Sequence, residues 1–307
     1  MHRAIILLSL LFCSLAPHSQ EANSILQRET RSTTPQCIQF YKELHQIPEL
    51  ATNETETSTR LKKEMAALGL EIIDSMGYKS FAAILRNGPG PTILYRTDMD
   101  GLPVEEKTDL PFASSSRIKK GEELLPTMHA CGHDIHMSSW YGTARVLSKN
   151  KKTWSGTVIF LAQSAEETGQ GAKRVITSSA YASLPKADYQ LAIHSQAYLP
   201  SGVIGFCDGF SMAAVDMMTI TIYGKGGHGA APEKCIDPIV LSAQFINSIQ
   251  TIVSRNLSSN DPAVITVGSI QGGTIYNVIP DEVTLKLTIR SYSKESRKII
   301  LRSEEHT

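Results

Sequence analysis

Residues 129–136, with the sequence HACGHDIH, concentrate side chains that bind transition metals. They hold one thiol, three imidazoles and one carboxylate. Cys and His are zinc ligands, and Gly132 between Cys131 and His133 lets the backbone turn tightly. A single Cys or His is usually a packed residue, but this density within one loop predicts a metal site. Asp134 is expected to orient His133 or the metal without being a ligand itself.

Two adjacent carboxylates, Glu166 and Glu167, follow the apolar run of residues 157–162. Such an unbroken apolar run is typical of a strand that is covered on both faces. Neighbouring like charges are costly unless a positive group faces them. A carboxylate that is not a ligand, placed beside one that is, supplies the base that metal-assisted hydrolysis requires. Glu-Glu pairs are common on protein surfaces, so this pair alone is weak evidence for a functional site. It becomes a candidate because the Cys-His loop is near in the sequence.

Further polar residues follow two other predicted strands. His194 comes directly after the apolar residues 189–193, and Asp98 and Asp100 follow residues 92–95. The carboxyl ends of parallel strands are where α/β sheets build their sites. We therefore expect these side chains to share one edge of a sheet with the Glu pair.

The order of apolar patterns predicts two domains. Up to about residue 211, short apolar runs alternate with helical patterns, which indicates an α/β sheet covered by helices. After that point the predicted order is strand, helix, strand, strand, helix, which is most of a split βαβ unit. We predict a catalytic domain over residues 23–211 and a second, inserted domain over residues 212–307.

Composition excludes several classes of protein. The 307 residues carry 30 Lys and Arg against 30 Asp and Glu, so the sequence shows no basic footprint for nucleic acid.

The N-terminus has one positive charge followed by the apolar residues 4–16, a length typical of a signal peptide and too short for a membrane span. We therefore predict a signal peptide over residues 1–22 and a secreted or lumenal protein without a membrane anchor.

Secretion gives meaning to two sequons and to the cysteine count. Asn53 and Asn256 begin candidate glycosylation sequons. If Cys131 binds metal, Cys37, Cys207 and Cys235 remain in the mature chain, so one disulfide at most can form. The sequence therefore does not predict a disulfide scaffold.

Six motifs occur in an order that resembles one known family, the aminoacylase/carboxypeptidase group of metallopeptidases. Within it, the sequence is most similar to the amidohydrolase branch of hippurate hydrolases and indole-acetyl-amino-acid hydrolases. The resemblance covers residues 36–302. The motifs are YRTDMDGLPVEE (95–106), MHACGHDIHMS (128–138), AEETGQGA (165–172), His194 after its strand, GKGGHGAAP (224–232) and GGTIYNVIPDEV (272–283).

The resemblance implies a site for two divalent metal ions, Mn or Zn. It assigns the metal ligands to Cys131, His133, Glu167 and His194. Glu166 would be the general base that passes a proton from the attacking water to the leaving amine. Asp100 would support the site without being a ligand. The implied reaction cleaves the amide of an N-acyl amino acid, whose acyl group and amino acid the motifs do not specify.

The resemblance also assigns roles in the second domain. His228 would stabilise the tetrahedral oxyanion, often in the partner subunit, and Asn277 and Arg290 would hold the substrate carboxylate. The Gly-rich motif around His228 lacks the spacing of a phosphate-binding loop. The implied fold class is α/β, a helix-covered mixed sheet with an inserted ferredoxin-like α+β dimerisation domain, and the implied assembly is a homodimer.

The sequence departs from the family pattern at one point, and two alternative functions remain open. The family supplies a last metal-binding His from a C-terminal stretch of the catalytic domain that has no counterpart before Thr307. We therefore expect an incomplete catalytic domain with weak folding and poor activity. One alternative is a non-catalytic relative that serves as a binding or dimerisation module. Another is a cysteine hydrolase built on Cys131, in which the Glu pair would have no function.

Overall fold

The computed structural model describes residues 2–303, without the side chains of residues 2–20, Lys120 and Ser303. The predicted signal peptide, residues 1–22, therefore lies almost entirely outside the side chains described. The chain divides into two compact units, Met1–Tyr198 and Leu199–Thr307. Among the described residues, no helix has the length and apolar character that crossing a membrane requires.

Within the described residues, the first unit has five α-helices and seven strands. The helices are α1 (His2–His45), α2 (Thr55–Ala67), α3 (His133–Lys149), α4 (Gly171–Ile176) and α5 (Ser179–Ala182). The strands are β1 (Glu71–Ile73), β2 (Phe81–Asn87), β3 (Thr92–Asp98), β4 (Arg117–Lys120), β5 (Glu123–Pro126), β6 (Gly156–Gln163) and β7 (Tyr189–Ala192).

Five of these strands form a mixed sheet in the order β1-β2-β6-β3-β7. Strands β6, β3 and β7 run parallel, whereas β1 and β2 are antiparallel to their neighbours. The predicted α/β architecture with a helix-covered mixed sheet is therefore confirmed. Strands β4 and β5 form a separate hairpin.

Both faces of the sheet are covered because side chains alternate along each central strand. In β6, Phe160 packs into the core on the side of α1, α2 and α3, while Ile159 packs on the side of α4 and α5. Burial on both faces explains why residues 157–162 are apolar without alternation.

Trp140 fixes α3 on the sheet. Its buried ring makes edge contacts with Phe81 and Phe160, at centroid distances of 6.1 and 5.5 Å. Its indole N–H donates to the Tyr95 carbonyl at 3.1 Å. Because α3 begins at His133, this packing also fixes the Cys-His motif of residues 129–136 at one end of the sheet.

The second unit is built on a three-stranded antiparallel sheet in the order β10-β12-β8. Its elements are β8 (Ala214–Tyr223), β9 (Gly227–His228), α6 (Pro238–Thr251), β10 (Ala263–Gln271), β11 (Val278–Ile279), β12 (Glu282–Ser291) and α7 (Lys294–Ser303). Strand β12 alternates strictly, with Val283 and Leu285 buried and Lys286 exposed. Side chains of β12, α6 and α7 share one apolar core.

Two helical patterns in the sequence are longer than the helices that form. The pattern of residues 171–181 indicates one helix, but the structure has two, because the Ser178 side chain accepts a hydrogen bond from the Tyr181 N–H and begins α5 anew. The pattern of residues 237–255 indicates one α-helix, but α6 ends at Thr251 and the chain continues as a π-helical turn over Ile252–Asn256. Neither difference involves a predicted site residue.

Candidate metal centre

The three parallel strands of the first unit bring the predicted site residues to one edge. Asp98 at the end of β3 is paired with Gln163 at the end of β6, and Arg96 is paired with Ala192 at the end of β7. The residues that follow these strand ends, among them Asp100, the Glu pair and His194, therefore emerge side by side. This is the shared edge that the sequence predicts.

Cys131, His133 and His194 offer ligand atoms that lie within 4.8 Å of one another. The Cys131 Sγ lies 3.4 Å from the His194 Nε2. His133 also belongs to a second group within the same limit, formed with Glu166 and Glu167. The His133 Nε2 lies 3.8 Å from a Glu167 carboxylate oxygen and 3.9 Å from a Glu166 oxygen.

Several buried polar atoms at this site lack a hydrogen-bond partner within the described residues. They are both ring nitrogens of His133, the Glu167 Oε1 and the Asp100 Oδ1. Unpartnered buried polar atoms cost free energy, so their convergence at one point indicates a ligand. A thiol, two imidazoles and a carboxylate are the donor set of a transition metal such as zinc. These residues therefore fit a divalent metal ion.

The electrostatics of the site also favour a cation. Burial, followed by the negative charge of Glu167, raises the pKa of the Cys131 thiol to about 12. Burial and the neighbouring Glu166 raise the pKa of Glu167, with His133 opposing them. The pKa of His133 is raised as well, because the Asp100 and Asp98 carboxylates outweigh its burial. Protons and metal ions compete for such ligands.

A cysteine hydrolase needs the opposite electrostatics. A nucleophilic Cys has a lowered pKa, usually from a positive neighbour or a helix N-terminus. At this site the raised pKa of Cys131 disfavours a free thiolate. Cys131 is instead favoured as a candidate metal ligand because its sulfur lies among the donor atoms of His133 and His194.

His136 was not predicted as a site residue, although it is the third His of the motif. Its Nδ1 donates to the Asp98 carboxylate at 2.7 Å, and its Nε2 accepts the Ser195 N–H at 2.8 Å. Both ring nitrogens are therefore occupied, and the ring holds the loop that carries His194. The density of His in the motif gave the signal, but only the fold separates a loop-holding His from a ligand.

The backbone of Gly132 requires glycine. It has a φ of +80°, and an added Cβ would collide with the Ser195 side chain. That serine hydroxyl donates to the Cys131 carbonyl at 3.1 Å. The loops that carry Cys131 and His194 are therefore joined directly, with no space for a side chain between them.

The prediction that Asp134 orients His133 or the metal is wrong. Adjacent residues on a helix point in different directions, and the Asp134 carboxylate accepts a hydrogen bond from the His45 Nδ1 at 2.6 Å. The His45 Nε2 donates to Glu106 at 3.0 Å. His129 is also buried, and burial lowers its pKa to about 4, which keeps its ring neutral.

Asp100 lies beside the candidate ligands, as the sequence predicts. It is buried, its Oδ1 lies 3.4 Å from the His133 Nδ1, and its Oδ2 accepts the Glu167 N–H at 2.9 Å. It therefore contacts the backbone of one candidate ligand and faces the ring of another.

The remaining predicted residues lie in the second unit. His228 on β9 pairs with Val278 on β11, and the Asn277 carbonyl accepts the Gly229 N–H at 2.9 Å. His228 and Asn277 are therefore neighbours, and both are exposed. Arg290 lies on β12 between Val215 and Val264, and it is also exposed.

Comparison with known proteins places the chain in a family. The model of peptidase family M20/M25/M40 matches residues 94–295. An N-acetylcysteine deacetylase from Bacillus subtilis is 39% identical over 265 residues, 86% of this chain and 67% of the relative. A thermostable carboxypeptidase 1 from Saccharolobus solfataricus is 38% identical over 276 residues, 89% of this chain and 67% of the relative. The chain thus spans about two thirds of the length of these relatives.

A solved structure supports the same assignment. The crystal structure of a dinuclear metal-binding M20 peptidase from Bacillus subtilis superposes with a TM-score of 0.71 at 33% identity, covering 88% of this chain and 67% of that one. With the motifs, the mixed sheet and the clustered metal donors, these matches identify the chain as a member of peptidase family M20/M25/M40.

Proposed function

We propose that the protein is a metal-dependent amidohydrolase that cleaves the amide bond of N-acyl amino acids. The observation that carries the proposal is the position of Glu166, which lies beside the metal donors yet keeps 38% of its side chain exposed. A carboxylate in this position can reach both a water and a substrate. The similarity to an N-acetylcysteine deacetylase supports the class of substrate.

We assign the metal ligands to Cys131, His133, Glu167 and His194. Their donor atoms support two divalent ions, Mn or Zn, and a similar M20 peptidase is described as dinuclear. When bound, such ions acidify water and polarise the substrate carbonyl. Asp100 would hold Glu167 through its backbone and face the ring of His133.

Glu166 would move the proton in the reaction. Its carboxylate would take a proton from the water that attacks the amide carbon, and the carbon–nitrogen bond would then break. The same carboxyl group would return the proton to the leaving nitrogen. One water is consumed, and the products are a carboxylic acid and a free amino acid.

Residues of the second unit would complete substrate recognition. His228 would donate a hydrogen bond to the oxyanion, and Asn277 and Arg290 would hold the substrate carboxylate, which suits the forked geometry of a guanidinium. We further propose that this unit, residues 212–307 in the sequence prediction, is an inserted ferredoxin-like domain through which the protein forms a homodimer.

We also propose that the protein enters the secretory pathway. The supporting observation is the apolar N-terminal run of residues 4–16 after a single positive charge. Asn53, which begins one sequon, is exposed. Two measurements test this proposal. Loss of an N-terminal epitope during expression would report cleavage of the signal peptide, and a decrease in mass after glycosidase treatment would report glycosylation.

Hydrolysis of a panel of N-acyl amino acids tests the proposed function. The panel would include N-acetylcysteine, other N-acetyl amino acids and N-benzoylglycine. We expect turnover of at least one member, loss of that turnover after dialysis against a chelator, and recovery with Mn²⁺ or Zn²⁺. Turnover that survives complete removal of metal, or no turnover of any member by the metal-loaded protein, would contradict the proposal.

A further inference from the structure

The turn that carries Glu166 and Glu167 has a strained backbone. Ala165 has a φ of +56°, in the left-handed region that residues other than glycine rarely adopt, and it is completely buried. Such a conformation costs free energy and persists only where the surroundings impose it. The direction in which the two carboxylates leave the sheet depends on this residue.

Glu54 contacts this turn from the connection between α1 and α2. One carboxylate oxygen accepts the Ala165 N–H at 2.7 Å, and the other accepts the Ser164 hydroxyl. Glu54 is completely buried, and it has no basic partner among the described residues. Burial raises its pKa, while the bonds to Ser164 and Ala165 oppose that rise. A buried carboxylate without a cation is costly, so these two hydrogen bonds are its main compensation.

Two other acceptors hold the same turn. The Ser80 hydroxyl accepts the Ser164 N–H at 2.9 Å, and the Asp100 carboxylate accepts the Glu167 N–H at 2.9 Å. Glu54 binds the N–H of Ala165, the strained residue that lies between Ser164 and Glu167 in the chain. The backbone of Glu54 is itself fixed, since its carbonyl accepts the Ser58 N–H at 3.0 Å in the first turn of α2.

We propose that Glu54 is a positioning residue that sets the geometry of the Glu166–Glu167 pair through Ser164 and Ala165. It touches neither substrate nor metal and acts only on the turn. The expected effect of Glu54 on turnover rests on the proposed function. Its effect on metal binding through Glu167 can be measured independently of catalysis.

The length of the side chain and its acceptor atoms matter more than its charge. In Glu54→Gln, the amide oxygen still accepts the Ala165 N–H and the amide NH₂ can donate to the Ser164 oxygen. In Glu54→Asp, the carboxylate is one methylene shorter and withdraws from both groups. In Glu54→Ala, both contacts are lost and the Ala165 N–H is left buried without a partner.

Cobalt binding to the full chain tests the proposal. Co²⁺ added to metal-free protein reports affinity by titration and ligand geometry by its visible absorption spectrum. We expect Glu54→Asp and Glu54→Ala to bind Co²⁺ about 10- to 100-fold more weakly with shifted bands, as for the loss of groups that orient metal ligands. We expect Glu54→Gln to stay within about threefold of the wild type. In turnover, kcat should fall about 100-fold in the Asp variant with little change in KM.

Glu49→Ala is the matched control. Glu49 lies on the same connection and its carboxylate also accepts two backbone N–H groups, those of Glu56 and Thr57 at 3.1 and 2.8 Å. These bonds cap α2 and do not reach the turn. Glu49→Ala should therefore lower the stability of the protein, as the loss of a helix cap does, and leave the cobalt spectrum and affinity unchanged.

The outcomes separate cleanly. A wild-type cobalt spectrum and affinity in Glu54→Asp would overturn the proposal, as would a loss in Glu49→Ala or Glu54→Gln equal to that in Glu54→Asp. If Glu54→Ala fails to fold, the Asp and Gln variants decide. A wild-type protein that binds Co²⁺ but hydrolyses no N-acyl amino acid would contradict the proposed function and would leave the comparison of spectra valid.

Discussion

The Cys131 Sγ lies 3.4 Å from the His194 Nε2, although 63 residues separate them in the chain. Their loops are joined by the Ser195 side chain, which donates to the Cys131 carbonyl, and by the Ser195 N–H, which donates to His136. The distance between the two candidate ligands is therefore set by hydrogen bonds outside the metal site. A site built in this way is preorganised for the ion. Substitution of a ligand should therefore weaken metal binding more than it lowers the free energy of unfolding.

Replacement of Glu166 by Gln should separate catalysis from metal binding. The amide has nearly the same shape, but it cannot accept and return a proton, so we expect kcat to fall by about 10²- to 10⁴-fold. Metal content, measured by mass spectrometry of the dialysed protein, should stay at the wild-type level. Glu105→Gln, a change at an exposed Glu paired with Arg117, should alter neither quantity.

Glu166→Gln turnover within about threefold of the wild type would exclude Glu166 as the base, because general-base catalysis is worth far more than that factor. A variant that loses both metal and turnover would instead assign Glu166 to the ligand set.

Replacement of Gly132 by Ala should damage the metal site beyond the cost of backbone strain. Gly132 and Gly69 have nearly the same φ, +80° and +81°, but only at Gly132 would a Cβ collide with another group, the Ser195 side chain. We expect Gly69→Ala to cost about 1–2 kcal/mol in the free energy of unfolding, because of the left-handed conformation alone. Gly132→Ala should cost more and should also weaken metal binding.

Urea unfolding and metal titration of the two glycine variants measure both effects. Equal losses of stability, with unchanged metal affinity in Gly132→Ala, would show that Ser195 moves away without consequence for the ligands.

His45 should make the stability of the protein depend on pH. Its hydrogen bond to Asp134 and its bond to Glu106 outweigh burial and raise the pKa of His45 to about 9. The protonated ring of His45 stabilises the folded state. This stabilisation is fully present below the pKa of His in the unfolded chain, about 6.5, and is lost as pH rises from there through about 9. The contribution is roughly 1–3 kcal/mol. His129 affects stability at lower pH. Burial lowers its pKa to about 4 in the folded state, so its contribution to the stability of the folded state is lost as pH falls from about 6.5 through about 4.

Unfolding free energies of the wild type and His45→Gln between pH 6 and pH 8.5 check this prediction. The variant should lose less stability than the wild type across that range. The difference between the two proteins isolates His45, because His133, whose pKa is also raised, is present in both. Parallel curves would contradict the assignment of the pH dependence to His45.

The sequence predicted those features of the site that depend on local order. Glu166, Glu167 and His194 follow apolar runs, and the carboxyl ends of parallel strands meet, so their shared edge could be predicted without coordinates. The α/β sheet and its helical cover followed from the alternation of apolar runs with helical patterns, whereas the mixed strand directions were implied by the family resemblance. In each case the evidence lay within a few residues of the side chain concerned.

The groups that hold the ligands could not be predicted, because their partners are distant in the sequence. His45 lies 89 residues from Asp134, and Glu54 lies 111 residues from Ala165. Nothing in the neighbourhood of either residue indicates such a contact. Asp134 was assigned to the wrong neighbour for the same reason, since adjacency in sequence does not place two helical side chains together.

X-ray absorption spectroscopy of the zinc-loaded protein tests the central claim most directly, because it measures the distances from the metal to its ligands. We predict one Zn–S distance of about 2.3 Å together with nitrogen and oxygen ligands at about 2.0–2.2 Å. The sulfur contribution should disappear in Cys131→Ser and persist in Cys207→Ser, a change at an exposed free thiol. A wild-type spectrum with only nitrogen and oxygen ligands, or a sulfur contribution that survives in Cys131→Ser, would contradict the account.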